Sequence, residues 1–303
     1  MRSLRLTGRF WVAAVGIVVV VLFGFLGPVI FSGHQLGVAV GGLFDPPSSA
    51  AWLGTDYLGH DIFTNLIYGT RTSLIIGLVA GAVTTVIGVI LGVVAGYRGG
   101  FAEEALMGVT NVVLAIPAIV VLILLSVSLP TRGALTLAIV IGVTSWPWTA
   151  RAVRAQASSV RTREHIDIAK LSGARTASIM AFDVLPYMLS YIVMAFVLQV
   201  SSAILAEAGL SLLGLGPSQG QSLGIMLHWA LAWEAVRNGA WPAFVAPTVV
   251  LTLIGFSLLL LQSSMDELFN PKLRRKKVRR SERPAPVKVG QAAVVDVDRV
   301  VPQ

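Results

Sequence analysis

The stretch "REHIDIAKLSGARTASIMAFDVLPYM", residues 163–188, decides how this chain is read. It gathers Arg163, Glu164, Asp167, Lys170, Arg175 and Asp183, while strongly apolar runs lie on both sides of it. Residues 164–175 contain the helix formers Ala169, Lys170 and Leu171 and meet a stop at Gly173. Asp167 and Lys170 stand at i, i+3, and Arg163 and Asp167 at i, i+4, so either pair can meet on a helix surface. Ile166, Ile168, Ala169 and Leu171 are spread around such a helix and form no single stripe. That pattern does not suit a helix lying on lipid; it suits a short helix with contacts on more than one side. A plain positively charged loop between spans fits the charges equally well. Leu185-Pro186 then opens an apolar helix, with proline in a first turn that has no hydrogen bond to lose.

The flanks say what is being interrupted. Of 303 residues, 55% are hydrophobic and 13% charged, and the mean hydropathy is +0.79. Soluble domains are about a quarter charged, so the composition is that of an all-α, polytopic membrane protein. A helix needs about 20 apolar residues to cross the hydrocarbon core. Six stretches qualify: 10–31, 73–96, 106–129, 134–150, 187–207 and 244–264. The first follows the basic "MRSLR" but is too long for a signal peptide's apolar region and shows no small-residue cleavage site, so it is read as a retained helix. Pro147, in "SWPWTA", is expected to kink or end the fourth.

Basic residues give the orientation. Arg2, Arg5, Arg9, Arg98, the cluster Arg151–Arg175 and the tail from Lys272 fall on one side, and Arg71, Arg132 and Arg237 on the other. By the positive-inside rule both termini and residues 163–183 are cytoplasmic. The net charge of +8 therefore reflects topology and a basic tail, not a nucleic-acid surface. The expected division is a first helix with its N-terminal residues (1–31), an external segment (32–72), a five-helix core (73–272) and a disordered cytoplasmic tail (273–303). Gly77, Gly81, Gly88, Gly92 and Gly96 share much of one face of the second span, a surface for close helix packing in lipid whose partner the sequence does not name.

Catalytic chemistry is missing. None of Lys170, Lys272, Lys276, Lys277 and Lys288 follows a glycine, so no phosphate-binding loop is present. His34, His60, His165 and His228 lack metal-ligand spacing, there is no cysteine, and no G-x-S-x-G elbow occurs. Charge within the spans, the usual mark of ion coupling, is nearly confined to Glu207 near the outer end of the fifth span, where it can reach an interface. A structural or gating role near the outer mouth is expected of Glu207.

Several separated stretches resemble one family. They are "LGTDYLGHDIFTNLIYGTRTSLIIG" (53–77), "GVVAGYRGG" (92–100), "WPWTARAVRAQ" (146–156), "EHIDIAKLSGA" (164–174), "EAGLSLLGLG" (207–216) and "DELFNPKLR" (266–274). Together they resemble the C-type permeases of the dipeptide/oligopeptide/nickel group of binding-protein-dependent ABC importers. The family's cytoplasmic E-A-A segment, following glycine and later Leu-Pro align with Asp167, Ile168, Ala169, Gly173, Leu185 and Pro186. Asp167 stands where the family usually has Glu, Ile168 where it has Ala, and "KLSG" departs from its usual small residue and Leu before the glycine.

The resemblance implies a type I importer permease fold with six spans. It implies that residues 163–175, with Glu164, Asp167, Ile168, Ala169, Gly173, Leu185 and Pro186, form a coupling helix docking on a separate ATPase. Partners follow from it: a B-type permease, two ATP-binding subunits carrying ATP and Mg, and an extracytoplasmic substrate-binding protein. The chain itself would be no enzyme and hold no cofactor, in a prokaryotic cytoplasmic membrane. Peptides are the first substrate class, with oligosaccharides and nickel chelates as alternatives, because Trp229, Trp233 and Trp241 could stack on sugars or form an interfacial belt. The competing class is a secondary transporter, which predicts a midplane ion site and work without an ATPase.

Overall fold

A computed structural model describes residues 8–31 and 35–269 of the chain. Its helices are α1 (Gly8–Ile30), α2 (Ile62–Arg98), α3 (Gly100–Ala115), α4 (Ala118–Ser128), α5 (Ala134–Arg161), α6 (Glu164–Leu171), α7 (Thr176–Ile179), α8 (Leu185–Leu212), α9 (Leu223–Ala232) and α10 (Pro242–Phe269). Among the described residues the only extended pairing is two isolated bridges, Ala39–His60 and Thr55–Asp61. The tail expected to be disordered lies outside the described residues, as does His34.

Four helical stretches are long and apolar enough to cross a membrane: α1, α2, Thr176–Leu212 and Pro242–Met265. The pair α3 and α4 makes a fifth if it is one span, but it is bent by 80°. The third span, expected as one run over 106–129, is thus two helices. Pro117 has no amide hydrogen and forces Ile116 out of the helical region, to φ −90° and ψ 127°, so the helix breaks between them. The fourth span is corrected in the opposite sense. Pro147 neither ends α5 nor stops it short; the helix continues to Arg161, as membrane helices allow when neighbours compensate for the missing bond.

Two starting points also move. α2 begins at Ile62, inside the segment expected to be external, because Asp61 caps it: its carboxylate accepts from Phe63 N and Thr64 N, both at 3.1 Å, and from Thr64 Oγ1 at 2.6 Å. α8 does open at Leu185 with Pro186 in its first turn, but the apolar helical stretch it belongs to starts earlier. Helical backbone runs from Thr176, and a π turn at Met180–Val184 precedes Pro186, with Leu185 N donating to Met180 O. The wider turn shifts the hydrogen-bond ladder where proline has no donor to offer.

α2 is the central helix, and its glycines pack within the same chain. A Cβ at Gly81 would lie 2.9 Å from the Val200 backbone nitrogen in α8, and one at Gly92 would lie 2.7 Å from the Ala150 carbonyl in α5. Gly77 likewise meets Ile204 of α8, and Gly88 and Gly96 meet α5. One core gathers Val93, Tyr97, Val153, Ile166, Ile179 and Val184 at the α6 end of the bundle. A second, at the opposite end, joins Ile62, Leu66, Ile204, Leu223 and Met226.

Candidate functional site

The charged segment folds into a short helix seated on the end of the bundle. Ile166 is 0% exposed and packs with Val160, Ile179 and Val184, while Ala169 leans on the same core. Ile168 and Leu171 point the other way, 64% and 88% exposed. The apolar residues that form no stripe in sequence are thus divided between an anchoring face and a bare one.

The helix end is closed by its backbone. Ala174 N donates to Ala169 O at 3.2 Å and Gly173 N to Lys170 O at 3.0 Å, the paired bonds of a left-handed helix cap. Gly173 takes φ +76° there, a conformation costly to any residue with a Cβ. Lys170 Nζ pairs with Asp167 Oδ1 at 2.9 Å on the exposed side. Arg163 does not join them; its guanidinium lies over the Tyr187 ring at 5.2 Å, and His165 stacks on the same ring at 5.3 Å. Glu164 lies in the first turn of α6, and Leu185 packs on the core beneath it, next to Pro186 in the first turn of α8. The structure therefore brings Glu164, Asp167, Ile168, Ala169 and Gly173 onto one element and sets Leu185 and Pro186 at its base.

Glu207 is elsewhere and differs from expectation. It reaches no interface: it is 0% exposed in the helix-packed interior. Ser211 Oγ and Ser222 Oγ donate to its Oε1, each at 2.6 Å, and Ser73 Oγ donates to Oε2 at 3.2 Å. Ser222 also caps α9 by accepting from Ile225 N at 3.1 Å, and Ser73 accepts from Leu223 N at 3.1 Å. One carboxylate therefore ties α2, α8 and the start of α9. Ser211, four residues on in the same helix, was a visible signal; Ser73 and Ser222 arrive through the tertiary fold.

The two segments expected outside pack on each other. Tyr57 is stacked between Trp229, at 5.1 Å, and Trp233, at 5.5 Å. Burial, with the Asp56 carboxylate nearby, pushes the Tyr57 phenol up from its ordinary value, so it stays neutral. Asp56 accepts from Leu58 N, His60 N and Asn65 Nδ2, which folds the turn before α2.

A cleft of about 650 Å³ opens between the α3–α4 break, α5 and α8, walled by Pro117, Thr144, Trp148, Gln199 and Ser202 among others. Gln199 Nε2 donates to Thr149 Oγ1 at 2.5 Å. Toward the α6 end, α3 and α5 are cross-tied by the Glu103–Arg154 ion pair and by Arg151 Nη2 donating to Asn111 Oδ1 at 2.7 Å.

The described residues thus form an apolar helical bundle with one short helix presented at its end. Residues 88–275 match the family described as binding-protein-dependent transport system inner membrane component, and the chain belongs to that family. It is a multi-pass permease component of a binding-protein-dependent importer. It is 36% identical to the dipeptide transport system permease protein DppC of Bacillus subtilis (strain 168), over 76% of this chain and 71% of that one. With the oligopeptide transport system permease protein OppC of the same organism it shares 32%, over 76% and 74%. Among solved structures it resembles a chain of the inward-facing MetNI methionine ABC transporter, with TM-score 0.53 and 20% identity, over 66% of this chain and 96% of that one. That likeness shows a common fold.

Proposed function

We propose that this chain is the C-type permease of an ATP-driven importer of di- and oligopeptides, and that α6 is its coupling helix. In this reading both termini are cytoplasmic, and α5 and the bent α3–α4 pair complete six spans. A B-type permease supplies the other half of the pathway. Two ATP-binding subunits carry ATP and Mg, and a substrate-binding protein delivers the cargo outside a prokaryotic cytoplasmic membrane. The observation that carries it is the division of α6: Ile166 fixes the helix to the bundle, and Ile168 and Leu171 remain bare beside the exposed Asp167–Lys170 pair. Burying such a side chain against a partner contributes about 1.5–3 kcal/mol, enough for a few exposed residues to seat the helix in an ATPase cleft.

Peptides are favoured by the DppC and OppC relatives. The stacking of Trp229 and Trp233 on Tyr57 gives those rings an internal partner, which weakens the oligosaccharide alternative. The test is affinity purification of the tagged chain in mild detergent. A second permease, two ATP-binding subunits and a binding protein are expected with it, together with ATP-dependent peptide uptake in liposomes. A chain that purifies alone and transports without ATP would overturn the proposal.

A further inference from the structure

The α3–α4 break leaves main-chain polar groups without helical partners inside a membrane bundle. Ile116 N donates to Val113 O at 3.3 Å, and Val120 N and Val121 N both turn to Pro117 O, at 3.0 and 3.4 Å. The carbonyls of Leu114 and Ala115 have no following turn to accept from, because the chain bends away by 80°. Across the same cleft, Pro147 cannot donate, so the carbonyl of Val143 lacks its i+4 partner. Leu114, Val143 and Pro147 all line the cleft. Irregular backbone at membrane depth is tolerated only when it is buried in protein or faces a water-filled cavity, and broken helices at such depth mark substrate sites in other transporter folds.

The third wall adds a side-chain group. Gln199, half-buried on α8, gives an amide hydrogen to Thr149, which aims its donor end into α5. Its carbonyl oxygen accepts no hydrogen bond among the described residues. Ser202 lies one turn further on, exposed to the cleft. Among the described residues no Asp, Glu, Lys, Arg or His lines the cleft; beyond the hydroxyls of Thr144 and Ser145 its remaining side chains are apolar and aromatic. At about 650 Å³ it is within the range of small-ligand sites.

We infer that this cleft is a station on the transport path where main-chain N–H groups of the cargo are held, by the Gln199 oxygen and by the carbonyls of Leu114 and Val143, which lack an i+4 amide donor. The inference rests on the peptide-importer reading for its ligand class. A peptide presents a donor at every residue but proline, so a wall of fixed acceptors grips the part common to all peptides. The lack of charge on that wall leaves cargo side chains unselected. Gln199 is then the position where a change converts an indifferent path into a selective one.

The chain has no cysteine, so Gln199→Cys and Ser202→Cys each place a single thiol in this subunit. In the full complex in nanodiscs, a water-soluble methanethiosulfonate should label both, several-fold faster in one of the nucleotide-free and ATP–vanadate states than in the other. A saturating tripeptide should slow labelling several-fold. Thiols unlabelled in both states, as expected if the second permease or lipid fills the cleft, would overturn the proposal, and so would labelling indifferent to peptide. In proteoliposomes, Gln199→Glu should lower uptake of peptides with acidic side chains at least fivefold relative to basic ones. Equal uptake of the two would also overturn it. If the wild-type complex imports no peptide, the peptide reading falls and takes the ligand class with it, while state-dependent labelling still decides whether the cleft is the conduit.

Discussion

Asp167 and Glu207 are both carboxylates that stand out in an apolar sequence, and the fold gives them opposite surroundings. Asp167 is 63% exposed and pairs with Lys170 on the outer side of α6. Glu207 is wholly enclosed by hydroxyls from three serines. An exposed ion pair contributes about 0–1 kcal/mol, so Asp167 matters to the fold very little and is available to a partner. A buried acceptor whose removal strands several hydroxyls costs about 1–3 kcal/mol for each group left unpaired. The same functional group is therefore held out to solvent at one end of the molecule and serves as a structural joint at the other.

The largest effect should come from the enclosed carboxylate. Glu207→Leu strands Ser73, Ser211 and Ser222 together, and loss of the monodisperse peak in size-exclusion chromatography is expected. Glu207→Gln keeps one acceptor oxygen and should lower the melting temperature while leaving the chain assembled. Unchanged melting and transport in Glu207→Gln would remove the joint and erase the contrast with Asp167.

Next comes the helix contact between these two ends. Gly92→Leu pushes side-chain atoms into the Ala150 carbonyl and Val153, and overpacking of this kind costs about 1–3 kcal/mol. The variant should insert but melt several degrees lower. Gly173 separates backbone from side-chain effects, since nothing lies within 4 Å of the place a methyl would take and only φ +76° opposes substitution. Gly173→Val, at a cost of about 1–2 kcal/mol, should uncouple uptake from ATP hydrolysis. Gly173→Asn, better suited to that conformation, should keep most uptake. Equal behaviour of the two would break the argument from the cap.

The smallest effect on stability belongs to the exposed face. Asp167→Lys and Leu171→Asp should melt like the wild type yet lose ATP-driven uptake by about tenfold or more, measured as peptide accumulation in proteoliposomes. Normal uptake in both would leave α6 without its coupling role.

Much of the bundle was legible because long hydrophobic runs are imposed by the bilayer itself. The family-bearing stretches were legible too. What escaped depended on tertiary choice. Ile166 and Ile168 are the same residue two positions apart, and only the path from α5 into α7 decides which one is buried. The glycine face of α2 announced a close partner, but that it serves α8 at Gly77 and Gly81 and α5 from Gly88 onward is a matter of helix crossing. Ser73 comes to Glu207 from a distant helix, and no local pattern links them. The break at Pro117 was the reverse case: its signal was local, yet the apolar run around "AIPAIV" masks it.

The glycine contacts of α2 carry a mechanical meaning. Where side chains separate two helices, rotamers yield and displacement is absorbed. Between α2 and α5 the Gly92 and Gly96 positions set backbone against backbone, with almost nothing soft between them. These two helices form a stiff plate, and α5 runs directly into the turn that carries α6. Compliance is left to the jointed α3–α4 pair, which makes that pair the yielding wall of the cleft and α2–α5 the rigid one.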